Sequence, residues 1–286
     1  MKKTKKRLLY SVYIITVTVF FLYYLFPSED VKDYALFYAN KAVPDVKVAI
    51  ENVEPTFPPG LLFNHITIYY HGKPFFKAEM LRAIPGILSL VKKELTVYFK
   101  SSLYDGVVKG KVAMPLKKSN RIFVTADIDG IQLSTMLALK EFIPHNLSGV
   151  LKGAVTYLRE ENSNQASAES DLQLIDCGID FMTPLYGIEN IRFNEIDAGF
   201  VLKGNRLKLE RITGSGDDFD ADISGFVMIM NKMDKSILSM DGEISPHPSL
   251  LGKMAQAKNF IKSRSGRKGI GFRIRGTLAR PTFSLK

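Results

Sequence analysis

From Leu8 to Phe26 the chain reads LLYSVYIITVTVFFLYYLF, nineteen residues without a charge and with only Ser11, Thr16 and Thr18 as polar interruptions. As a helix rising ~1.5 Å per residue it spans ~28 Å, close to the ~30 Å hydrocarbon core of a bilayer. Leu8, Leu9, Val12, Ile14, Ile15, Val17, Val19, Phe20, Phe21, Leu22, Leu25 and Phe26 supply its apolar surface, with Tyr10, Tyr13, Tyr23 and Tyr24 toward the ends. A cleavable signal has a shorter apolar core followed by small residues, whereas Phe26 is followed by Pro27, Ser28, Glu29 and Asp30. The pattern predicts an uncleaved signal anchor, and no second stretch of this kind follows it.

Beyond Pro27 the period changes twice. Val31, Tyr34, Ala35 and Tyr38 recur at i, i+3, i+4 and i+7, which predicts a short stalk helix over Glu29–Ala42 with Ser28 as its N-cap. Val46, Val48 and Ile50, then Ile66, Ile68 and Tyr70, alternate with other residues around Pro55, Pro58, Pro59 and Gly60, which predicts strand, turn, strand. Met80–Lys92 reads as two short helical pieces broken by Pro85 and Gly86, and Gln132–Phe142 and Pro248–Ser263 read as helices. Glu160–Ser170 reads as an exposed hairpin loop. The rest alternates with period two, giving about a dozen strands joined without crossover spacing, hence antiparallel. Glycines recurring within those strands predict a long, curved antiparallel sheet in a mainly β chain.

Charge sharpens the membrane reading. Lys2, Lys3, Lys5, Lys6 and Arg7 are five of the 39 basic residues, so from Leu8 onward 34 basic residues face 29 acidic ones. The basic hexamer precedes the apolar run, and by the positive-inside rule it stays in the cytoplasm while everything after Pro27 lies on the far side. In a bacterium that places residues 46–286 in the periplasm, after an anchor over 1–26 and a stalk or linker over 27–45. Nucleic acid is not an expected partner of a domain so placed. Cys177 is the sole cysteine, which excludes an intramolecular disulfide and cysteine-based zinc ligation.

Motifs for chemistry are sparse. His65, His71, His145 and His247 lack the i, i+4 spacing of a helical metal site, and no G-x-S-x-G elbow marks a nucleophile. Asp218, Asp220 and Asp222 imitate the first ligands of an EF-hand loop, but its glycine and bidentate glutamate positions are Ile223 and Ile229. Lys253, Lys258, Lys262, Arg264, Arg267, Lys268, Arg273 and Arg275 form a basic cluster suited either to anionic headgroups and acidic proteins or to plain solvation. The reading is of a chain with no catalytic residue, cofactor or metal.

The ending GFRIRGTLARPTFSLK, Gly271–Lys286, resembles the last strand pair of the AsmA-like group. The phrases LSGVLKGAVTY, Leu147–Tyr157, and LSMDGEISP, Leu238–Pro246, look like earlier copies of its rhythm. With the N-terminal anchor and PPGLLFNHITIYY, Pro58–Tyr70, the whole chain resembles the N-subunit (GspN) family of bacterial type II secretion systems. The resemblance implies an inner-membrane accessory component of protein export that acts through other secretion subunits. It also implies kinship with proteins whose groove- or taco-shaped sheets carry phospholipid. Leu147, Leu151, Val155 and Tyr157 fall on one strand face, and Phe272, Ile274 and Leu278 on another, so either could line an apolar groove or form a core under short helices.

Overall fold

The computed structural model describes all residues except 1, 43–45, 88, 90–92, 117–120, 138, 140–145, 161–165, 186–187, 231 and 249–268. The chain is mainly β and divides into two compact units, Met1–Ile84 and Pro85–Lys286.

The first unit opens with helix α1, Lys2–Tyr24, which absorbs the basic hexamer and stops two residues short of Phe26. Pro27 breaks the backbone, and helix α2 runs over Ser28–Ala42, as the apolar spacing predicts. Among the described residues no helix is long and apolar enough to cross a membrane. Strands β1 (Val46–Thr56), β2 (Gly60–Tyr70) and β3 (Lys73–Pro85) pair successively in antiparallel register, from Val46↔Tyr70 to Thr56↔Gly60 and from Leu61↔Ala83 to Tyr70↔Lys73. The free side of β1 is met by α2, where the Asn40 carboxamide takes the Val48 N–H at 2.7 Å. It is also met by α1, whose Tyr23 hydroxyl donates to the Thr56 carbonyl at 2.6 Å.

The second unit is an antiparallel meander of eleven strands. These are β4 (Glu94–Leu103), β5 (Gly106–Pro115), β6 (Ile122–Gln132), β7 (Asn146–Arg159), β8 (Ala166–Leu185), β9 (Ile188–Lys203) and β10 (Arg206–Ser215). They continue as β11 (Phe219–Met228), β12 (Ile237–Pro246), β13 (Ile270–Thr277) and β14 (Arg280–Leu285). Each pairs with its neighbours in sequence. In the tight turns at Tyr104–Asp105 and Gly204–Asn205, Tyr104, Asp105 and Gly204 take the positive φ that such reversals use.

Three expectations are corrected. Met80–Ile84 is strand rather than helix, because Asn64, Phe63, Leu62 and Leu61 of β2 pair it residue by residue, and ladder bonds outweigh helix propensity. The helix expected over Gln132–Phe142 starts later than its pattern suggests: Gln132 ends β6 opposite Val150, Leu133–Thr135 forms a 3-10 turn, 137 and 139 are α-helical, and 138 and 140–142 lie outside the described residues. The second half of the expected loop, Ala166–Ser170, belongs to β8 and pairs with Arg159–Val155. The helix expected over Pro248–Ser263 lies, but for Pro248, outside the described residues.

Candidate functional site

Directly paired residues project from the same face of a sheet, so register carries a face from strand to strand. Starting from Val97 and Phe99, it passes through Val112 and Gly110, Val124 and Ala126, Tyr157 and Val155, then Ala168, Leu172 and Leu174. It continues through Leu202, Phe200 and Ala198, then Leu207, Leu209 and Ile212, Val227, Gly225 and Ile223, then Leu238, Met240 and Gly242. It ends in Ile274 and Phe272, then Phe283 and Leu285. Apart from Arg159 at the end of β7, no described side chain on this face is charged. The opposite face carries Lys100, Lys109, Lys111, Asp127, Asp129, Glu169, Asp171, Asp197, Lys208, Asp222 and Arg273, all exposed.

Bulges keep the faces in phase. The register slips by one residue between β6 and β7 near Gly130, between β7 and β8 near Asp176 and at β10 between Leu209 and Ile212. Each slip is a local extra residue that bends the strand and increases its twist. Glycines on the apolar face sit under aromatic rings. A Cβ on Gly110 would lie 2.6 Å from the Phe99 ring, on Gly214 2.7 Å from Phe193 and on Gly242 2.3 Å from Phe272.

Ser101, Leu103, Ile131, Ala198, Leu209, Phe219, Leu238 and Phe272 of this face are buried, whereas Leu151, Val155, Leu172, Leu174, Phe200, Ile223 and Met240 are half-buried. A sheet with one apolar face needs a second layer or an apolar partner. Among the described residues of this unit, helical conformation is limited to the 3-10 turns Leu133–Thr135 and Met233–Lys235 and to positions 87, 89, 137, 139 and 248, with Leu139 beside Leu147 at the end of β7.

The residues singled out from the sequence divide between two places on this face. Leu147, Leu151, Val155 and Tyr157 lie on β7, and Phe272 and Ile274 on β13, six strands away, or ~29 Å at ~4.8 Å per strand. Leu278 is past the end of β13, in the turn to β14, where its N–H bonds the Ser236 carbonyl at 2.8 Å. The stretch between the two groups, from Leu172 to Met240, went unnamed at the sequence level. The same period-two alternation marks it.

The polar face holds an open depression of about 600 Å³ lined by Asp197, Asp220, Asp222, Glu243 and Arg211. Beside it the His247 ring places Nε2 3.0 Å from Asp220 Oδ2 and Nδ1 3.2 Å from the Asp217 carbonyl. Both neighbours are acceptors, so the arrangement favours the imidazolium form, in which each ring nitrogen donates to one of them. The hydrogen bond to Asp220 raises the His247 pKa, and the same bond lowers that of Asp220. Asp222 is taken by Arg211 at 3.1 Å. Among the described residues, no group of three or more His, Cys, Asp or Glu side chains is arranged to hold a metal ion.

Arg273 and Arg275, from the expected basic cluster, converge on Asp241 at 3.2 and 2.7 Å, and Lys286 joins them at 2.7 Å. These cations hold the Asp241 carboxyl far below the usual carboxylate range, Lys286 contributing most. The cluster residues Lys253 to Lys268 lie outside the described residues. Cys177 is buried, and desolvation pushes its thiol up, which describes a packed side chain rather than a nucleophile. His65 pairs with Glu51 at 3.0 Å, and His71 stacks edge-on to Tyr70 in the β2–β3 turn.

Compared with known proteins, the chain matches no family model, no curated protein and no solved structure.

Proposed function

We propose that this chain is a non-catalytic, single-pass protein of the bacterial inner membrane whose periplasmic sheet shelters acyl chains of phospholipid. The observation that carries this reading is the half-buried apolar face, charged only at Arg159, that runs from β4 to β14 without a continuous covering layer among the described residues. Exposed apolar area on this scale marks a partner-binding surface in a stable protein, and alkyl chains are partners that ask for no hydrogen bonds. The bulges and glycines along the strands fit a sheet that curves into a groove.

Anchoring rests on the apolar run Leu8–Phe26 and its basic flank. Along α1 the side chains of Leu9, Tyr10, Val12, Tyr13, Ile14, Phe20, Phe21 and Tyr24 are all exposed. Nothing among the described residues covers them, and a bilayer removes them from water at ~25 cal/mol per Å².

A second reading keeps the anchor and makes the sheet a subunit-contacting part of a type II secretion system. The resemblance of Gly271–Lys286 favours it, as does the outer edge of β14, which pairs with no other strand among the described residues and so suits strand addition. A photoreactive benzoylphenylalanine at Leu172 or Ile223, on the apolar face, and at Asp171 or Asp222, on the polar face, tests both in cells. Capture of phospholipid from the apolar-face positions alone is expected. Capture of discrete proteins, with no lipid, would replace the first reading by the second.

A further inference from the structure

We propose that the β1–β2 turn, Phe57-Pro58-Pro59, is a second membrane contact that dips into the headgroup layer beside the exit of α1; the inference rests on the anchor reading above. Tyr23 is the penultimate residue of α1, at the end away from the basic hexamer, where a spanning helix leaves the hydrocarbon. Its hydroxyl donates to the carbonyl of Thr56, the last residue of β1, at 2.6 Å. That bond ties the turn to the helix at the depth where the apolar run ends.

At that depth the turn presents an apolar tip. Phe57 is 77% exposed, and Pro58 and Pro59 are exposed beside it. The exposure is built rather than frayed: Arg82 of β3 donates to the Phe57 carbonyl, and Thr56 pairs with Gly60 to close the hairpin. Phe20, Phe21 and Tyr24 are exposed on the adjoining turns of α1, with Phe20 and Tyr24 stacked 5.9 Å apart. Aromatic side chains at a helix exit favour the membrane–water interface, and a phenylalanine held rigidly there gains apolar burial at little cost in side-chain entropy. The other end of the hairpin, where Val46 pairs with Tyr70, lies ~34 Å away along β2 at ~3.4 Å per residue.

The chain contains no tryptophan, so one introduced indole reports a single position. The full-length chain is placed in vesicles of phosphatidylcholine and phosphatidylglycerol carrying brominated acyl chains, as Phe57→Trp and separately as Tyr70→Trp. Quenching of most of the emission from position 57, with position 70 unaffected, is the expected result. Adding Tyr23→Phe to Phe57→Trp should weaken the quenching, because the tip loses its tether to the helix. A chain that floats with the vesicles but has an unquenched indole at 57 overturns this inference alone. A blue-shifted but bromine-insensitive emission also overturns it, by assigning the tip to a protein contact such as a second copy. Equal quenching at both positions overturns it as well, since the whole hairpin would then lie on the lipid. A chain that fails to float overturns the anchor together with the tip.

Discussion

The far end of the Phe272 ring lies over Gly242, its partner across the β12–β13 ladder, so closely that a Cβ on that glycine would stand 2.3 Å from the ring. The ring is also stacked on Phe283 of β14 at 5.4 Å and is itself buried. The glycine therefore seats the aromatic that joins three strands near the edge of the sheet. Gly242→Ala should destabilise by about 1–3 kcal/mol through overpacking. Phe272→Ala should cost about 3–5 kcal/mol, as loss of a buried aromatic does. The two changes act on one contact, so urea titrations of the double variant should show a cost well below their sum.

Asn40 closes the outer side of β1 in the first unit. Its Oδ1 accepts the Val48 N–H at 2.7 Å and its Nδ2 reaches the Val48 carbonyl at 3.4 Å. A side-chain amide standing in for a neighbouring strand satisfies one edge position and blocks strand addition there. Asn40→Ala should cost about 0.5–1.5 kcal/mol, the net worth of such a bond at a solvent-accessible site. Amide exchange at Val48 should accelerate selectively, with Ile66 and Ile68 of β2 unchanged.

Most of the sheet was legible because a two-residue period is unambiguous where apolar and polar residues alternate. Val107–Met114 and Arg206–Gly214 read as strands on that ground and fold as β5 and β10. Met80–Ile84 misled because MLRAI is apolar on both sides, and only its pairing with Leu61–Asn64 decides for strand. Ala166–Ser170 misled for the opposite reason: alanine and serine carry little hydrophobic contrast. Asp220 and His247 are 27 residues apart and meet because Phe219 pairs with Pro246, a register that local pattern does not encode. The continuity of the apolar face was out of reach for a related reason, since it depends on where each bulge resets the alternation.

Asp241 fastens the last strands by holding Arg273, Arg275 and Lys286, so neutralising it leaves three cations in mutual repulsion. Asp241→Asn should lower exchange protection across β13 and β14 at neutral pH. In the unmodified chain the depressed carboxyl adds stability that is present above 3.8, its ordinary pKa, and is lost only as pH falls through the lower folded value. Exchange at Arg280–Leu285 should therefore match between variant and parent in strong acid, diverge as pH rises from the lowered folded value toward 3.8, and stay apart by a constant amount above it.

The Asp220–His247 pair has a stability window bounded on both sides. The folded pKa of His247 is raised above 6.5, so its contribution is complete below that value and is lost as pH rises through the folded pKa. The folded pKa of Asp220 is lowered from 3.8, so its contribution is complete above that value and is lost as pH falls through the folded pKa. Replacing His247 by Gln should therefore destabilise most between the two ordinary values and least in alkali. Thermal melts of parent and variant, recorded across that range, should converge at high pH.

The apolar face makes a sharper demand than any single site, because Leu151 on β7 and Ile274 on β13 are six strands apart with Ile223 on β11 between them. Alkyl chains laid end to end across the strands touch all three, whereas a compact ligand touches one neighbourhood. Leu151→Asp and Ile274→Asp each place an unpaired carboxylate against alkyl surface, a penalty of about 1–3 kcal/mol that corresponds to roughly tenfold or more in occupancy. Both positions are half-buried, so the fold should tolerate the change better than the buried Leu209 would. Each variant should reduce phospholipid capture by a photoreactive residue at Ile223, and the paired substitutions at Lys152 and Arg273, on the opposite face, should leave it unchanged. Loss of capture from only one of the two aspartates would confine the lipid to that end of the sheet.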